Sequence, residues 1–169
     1  VNSNGTLSGT DYTNNLTFSR IRYQKGAVLS HYAGDTFYMS EYVDAAGTTW
    51  TVRDVQPSID FVNRRLLIGC RTTDMRHNVI YDLDAVLALG KETVEITRTW
   101  GGETAAEGVT EKKTETTSVE VRNLNRLTPL GSFRLPSYLN TGQTHQVYSY
   151  SHQGQAVWGD YVYWYEGQA

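Results

Sequence analysis

A single cysteine, three prolines and no apolar run of membrane-spanning length mark what this 169-residue chain has least of. With Cys70 alone, no disulfide can form within the chain. Its setting in Leu66-Leu-Ile-Gly-Cys70 is that of a small buried residue. One cysteine leaves cytosolic, viral and secreted settings all open. No segment approaches the ~18 consecutive apolar residues that a transmembrane helix needs. Charge of one sign is also scarce: the net charge is −3, and Lys112-Lys113, the one lysine pair, is flanked by Glu111 and Glu115. An electrostatic grip on nucleic acid or on an anionic membrane is not expected from such a surface. Gly-rich phosphate loops, Gly-x-Ser-x-Gly and His-Glu-x-x-His are all missing. No catalytic residue, metal or cofactor is therefore expected.

What the chain has instead is 12 Tyr, 4 Trp and 15 Gly, a usage that favours strands and turns over helices. One short pattern recurs without a gap. Asp60-Phe-Val-Asn-Arg-Arg-Leu-Leu-Ile-Gly-Cys-Arg71 aligns with Ala156-Val-Trp-Gly-Asp-Tyr-Val-Tyr-Trp-Tyr-Glu-Gly167. Each reads as a strand end, a two-residue polar turn (Asn63-Arg64, Gly159-Asp160) and an apolar or aromatic second strand. A looser third copy, Ala33 to Tyr42, puts its turn at Gly34-Asp35. Repetition of such a unit predicts an all-β chain and, within that class, an incomplete β-propeller: two to four blades of a five- or six-bladed ring, spanning 1–169 as one partial domain.

Period-two alternation predicts strands in Leu16–Tyr23 and Glu92–Trp100, and a further strand is expected within Thr48–Val55. One short helix is expected near 84–89, started by Asp84 and closed by Gly90. Residues 101–117 carry almost no apolar side chains and read as a mobile insertion or an extended hairpin. The first residue is Val1, which reads as an excised piece or a processed product, its missing blades supplied by another chain or by further sequence.

Three blocks carry a resemblance: Pro57-Ser-Ile-Asp-Phe-Val-Asn-Arg-Arg-Leu-Leu-Ile68, Val79-Ile-Tyr-Asp-Leu-Asp-Ala-Val-Leu-Ala-Leu-Gly90 and Ser151-His-Gln-Gly-Gln-Ala-Val-Trp-Gly-Asp-Tyr-Val-Tyr163. Together they resemble the β-propeller family of phage receptor-binding proteins and teichoic-acid biosynthesis protein C-like proteins, also found in actinobacteria. The resemblance covers some two thirds of the chain in discontinuous blocks, and the 101–117 segment departs from the family's short connection. It implies a tail-fibre, baseplate or cell-surface protein, extracellular or on the virion, that recognises a bacterial surface glycopolymer such as wall teichoic acid without chemistry of its own.

Sugars are held by aromatic faces and planar polar side chains, and both are present. Tyr148, Tyr150, Trp158, Tyr161, Tyr163, Trp164 and Tyr165 crowd into eighteen residues, although alternation assigns some of them to packing. The strand before each hairpin turn would line a channel, which places Gln56, Ser58, Asp60, His152, Gln153 and Gln155 near its axis, either as ligand groups or as a hydrogen-bonded filling. Among loop residues, Trp50, Arg76, His77 and Trp100 are the candidate contacts, with Arg76 able to hold a phosphate. The expected ligand-binding set is Trp50, Gln56, Asp60, Arg76, His77, Trp100, His152, Gln153 and Trp158. A glycan hydrolase remains the alternative, with acid and base drawn from Asp60, Asp82, Asp84 and Glu166. A purely structural module of a tail or extracellular assembly is the other.

Overall fold

A computed structural model describes residues 16–21, 25, 34–72, 76–100, 113–134 and 151–167. Strands dominate, with one short helix, so the all-β expectation holds. In chain order the strands are β1 (Thr17–Ile21), β2 (Gly34–Tyr38), β3 (Glu41–Val43), β4 (Thr49–Thr51), β5 (Asp54–Asp60), β6 (Arg65–Arg71) and β7 (Arg76–Asp82). Helix α1 (Leu83–Ala88) follows, then β8 (Lys91–Trp100), β9 (Lys113–Asn123), a 3-10 turn (Leu124–Arg126), β10 (Gly131–Arg134), β11 (Ser151–Trp158) and β12 (Tyr161–Gly167).

Two four-stranded sheets are formed, ordered β1-β2-β9-β8 and β10-β7-β6-β5, beside the ribbons β3-β4 and β11-β12. Among the described residues no sheet closes on itself. Strand β2 pairs with β9 in parallel, through Phe37–Arg122 and Tyr38–Asn123; the other pairings are antiparallel.

The run Leu66-Leu-Ile-Gly-Cys70 explains why β6 is central. All five residues are buried, so both faces of the strand are covered, as a continuous apolar run requires. Leu66, Ile68 and Cys70 point into the main core with Phe37, Met39, Tyr42, Val79, Tyr81, Val86 and Leu124. Leu67 and Gly69 point the other way, to the face where β11 packs. Pro57, which cannot donate to a ladder, lies on the edge strand β5, where its missing N–H does least harm.

Several local expectations change. The turn after β5 is four residues, Phe61 to Arg64, because Asp60 pairs with Arg65. Its cause is the Asp60 carboxylate, which accepts from the Val62 N–H (3.0 Å), the Asn63 N–H (3.2 Å) and Asn63 Nδ2 (2.7 Å). Arg64 takes a left-handed φ of 52° to close it, and its carbonyl accepts the Leu83 N–H. Gly34-Asp35 is no turn: both residues are in β2, opposite Ile21 and Arg20. Thr48–Val55 is broken between β4 and β5. The helix begins at Leu83 with Asp82 as its cap, whose carboxylate accepts the Ala85 N–H at 2.8 Å; Asp84 sits inside the first turn. Residues 113–117 of the segment expected as an insertion belong to β9, paired with β8, while 101–112 lie outside the described residues. No described helix is long and apolar enough to cross a membrane.

Candidate ligand-binding surface

The β11–β12 hairpin is built as its sequence indicates. Trp158 pairs with Tyr161, leaving Gly159-Asp160 as a two-residue loop, and Gly159 adopts the positive φ of 58° that such a turn needs. Alternation then divides its side chains. Gln155, Val157 and Val162 share the inner face and are half-buried, with Gln155 Nε2 donating to the Gln56 carbonyl at 2.7 Å. Trp158, Tyr161 and Tyr163 share the outer face and are 68%, 69% and 57% exposed. The two tyrosine rings tilt at 45° with centroids 6.4 Å apart. Three large aromatic surfaces thus stand together in solvent, each an apolar plane carrying a polar group.

A second aromatic cluster forms where β3, β4, β7 and β10 meet. His77 is buried in β7, with Nδ1 2.5 Å from the Tyr42 hydroxyl and Nε2 3.5 Å from Thr72 Oγ1. Trp50 in β4 packs edge-on against the His77 ring, centroids 4.6 Å apart, and donates Nε1–H to Asp44 Oδ2 at 2.8 Å. The Arg134 guanidinium covers the Trp50 ring at 4.8 Å. Burial pushes the Tyr42 hydroxyl up to about 12, with the Ser132 hydroxyl acting the other way. This cluster is a closed, mutually satisfied contact between ribbon and sheet.

The structure therefore separates the expected site residues. Trp50 and His77, expected in loops, are strand residues in contact with each other, and His77 is inaccessible to a ligand. Arg76 is also in β7, opposite Arg71, which pairs with Asp54 at 3.0 Å, so two guanidinium-bearing residues share one row of the sheet face that carries β11. Gln56 meets Gln155, and Asp60 is consumed by its own turn. His152 and Gln153 belong to β11 and Trp100 ends β8, but their side chains lie outside the described residues, as does that of Glu166. Among the expected contacts whose side chains are described, Trp158 is the one that solvent reaches most freely. Tyr161 and Tyr163 join it because positions one and three beyond the Gly159-Asp160 pair fall on its face, a signal the alternation already carried. The Arg134–Trp50 contact had no local signal: the two residues are 84 positions apart.

Asp44, Asp60 and Asp84 are held in their charged form. Asn63 lowers Asp60, Trp50 lowers Asp44, and the Arg64 guanidinium lowers Asp84, each by a side-chain hydrogen bond. A glycosidase acid needs the opposite shift. Among the described residues no three His, Cys, Asp or Glu side chains gather as a metal site. Compared with protein families, curated proteins and solved structures, the chain finds no match.

Proposed function

We propose that this protein is a non-enzymatic glycan-binding module that uses the outer face of the β11–β12 hairpin as its contact surface. The observation that carries the reading is the exposure of Trp158, Tyr161 and Tyr163 on one face of one hairpin. Exposed rings in a row offer stacking planes to the C–H faces of successive sugars. A bacterial cell-wall glycopolymer such as teichoic acid is the proposed ligand class, and a phage tail fibre, baseplate or cell-surface protein the proposed setting. Both follow the family resemblance of the 57–68, 79–90 and 151–163 blocks. The Arg71–Arg76 row suits a ligand bearing phosphodiesters. The propeller architecture belongs to the same proposal: the β5-β6-β7 meander and the repeated hairpin support it, while the parallel β2–β9 pair is foreign to an antiparallel blade.

Retention on purified cell wall and on a glycan array tests the reading. Trp158→Ala and Tyr161→Ala are expected to weaken retention roughly two- to tenfold each, the worth of one ring contact. No retention of the parent chain on either matrix, or equal retention of both variants, sinks it. A structural module within a tail or extracellular assembly is the second reading, favoured by Phe61 and Val62, which stand 73% and 66% exposed on the β5–β6 turn. Loss of assembly, with glycan retention intact, in a Phe61→Ser variant would select it.

A further inference from the structure

The sheet face beneath the hairpin carries one polar row. Register places Gln56, Gly69 and Asn78 side by side on β5, β6 and β7. The Gln155 carboxamide lies across that row: Nε2 donates to the Gln56 carbonyl at 2.7 Å, and a Cβ on Gly69 would fall 2.9 Å from Gln155 Cδ. Only glycine lets the amide settle so close to the strand. Asn78, next along the row, is 1% exposed, yet among the described residues neither its Nδ2 nor its Oδ1 has a hydrogen-bond partner, and Gln155 Oε1 has none either.

Buried amide groups without partners are costly, and a leucine at position 78 would avoid the cost. The unmet atoms complement each other, however. Asn78 Nδ2 is a donor, while Gln155 Oε1 and Asn78 Oδ1 are acceptors, so a direct Nδ2–H···Oε1 bond would still leave Asn78 Oδ1 unmet, whereas one bridging water can accept from Nδ2 and donate to both oxygens. The pairing needs the hairpin seated in one place, because apolar packing by Val157 and Val162 alone would tolerate sliding along the sheet.

We infer that the Gln56–Gly69–Asn78 row is a seat for the C-terminal hairpin, and that Gln155 and Asn78 are positioning residues that fix the aromatic face. The consequence for ligand binding rests on the proposed glycan-binding function; the seat itself does not. Hydrogen exchange of the full chain tests it, with Gln155→Met, which keeps length and apolar bulk, and Gly69→Ala, which displaces the amide. In both variants the β11–β12 amides are expected to exchange about tenfold faster or more while the β6–β7 amides keep their protection, because local opening is released without global unfolding. Asn78→Leu is expected to loosen the hairpin in the same way. Unchanged hairpin exchange in Gln155→Met and Gly69→Ala overturns the inference. Retention of the same variants on cell wall separates the two ideas. Faster exchange with weakened retention supports both, whereas faster exchange with retention unaltered keeps the seat and removes the aromatic face from ligand binding.

Discussion

His77 shows how much one buried polar side chain constrains its surroundings. Its ring is 1% exposed and reaches Tyr42 through Nδ1 and Thr72 through Nε2, so both nitrogens face protein. Tyr42→Phe takes the buried hydroxyl away from Nδ1, and losing that buried partner is expected to cost about 1–3 kcal/mol. Urea unfolding is expected to show that loss as a lower midpoint at an unchanged slope. Tyr163→Phe, 57% exposed on the hairpin, is expected to change stability by no more than about 0.5 kcal/mol. Equal midpoints for Tyr42→Phe and the parent chain would mean the contact is not formed in solution. Cys70 belongs to the same interior: burial pushes its thiol up to about 12, which leaves it a packing residue without reactivity.

At the level of elements, α1 is six residues long and depends on its ends more than on its length. Asp82 and Asp84 stand two positions apart and look interchangeable in sequence, but they do different jobs. Asp82 accepts a backbone N–H that the helix cannot satisfy, whereas Asp84 makes an exposed ion pair with Arg64. Asp82→Ala is therefore expected to cost about 0.5–2 kcal/mol, and Asp84→Ala distinctly less, because solvent screens its exposed ion pair. Paired urea titrations check the order, and a larger loss at Asp84 would reverse the assignment of the cap. What was legible in the sequence follows the same division. Alternation in Thr17–Ile21, the apolar run of β6 and the Gly159-Asp160 turn are local signals, and local geometry honours them. Gly34-Asp35 carries a local turn signal, but its pairing with Ile21 and Arg20 of β1 holds it extended. The Asn63-Arg64 turn widened because one carboxylate captured two backbone donors. His77 follows a polar stretch that reads as loop, and its distant partners Tyr42 and Trp50 help to explain its burial.

Across the whole molecule, acidic side chains tie separate pieces together, and their charge state links stability to pH. Asp35 is held low by Arg20 and draws Arg122 of β9 toward β2. Asp44 closes the β3–β4 turn and anchors Trp50. Asp60 closes the β5–β6 turn, and Glu92, lowered by Asn123 and then Arg126, fastens the 3-10 turn to β8. In each case the folded value lies below the unfolded one, so the stabilisation is present above the unfolded value and is lost as pH falls through the folded value. The exposed ion pairs among them contribute little singly. The turn-closing carboxylates Asp44 and Asp60 each accept several N–H donors, so they dominate the acid limb. The urea midpoint is therefore expected to stay nearly level from about pH 7 to pH 5 and to fall steeply below about pH 4, where carboxylates begin to protonate. Asp60→Asn should lower the neutral midpoint and flatten the acid limb together, because the lost charge is the one whose protonation the limb records. A parent midpoint as high at pH 3 as at pH 7 would show that these turns hold without their charges.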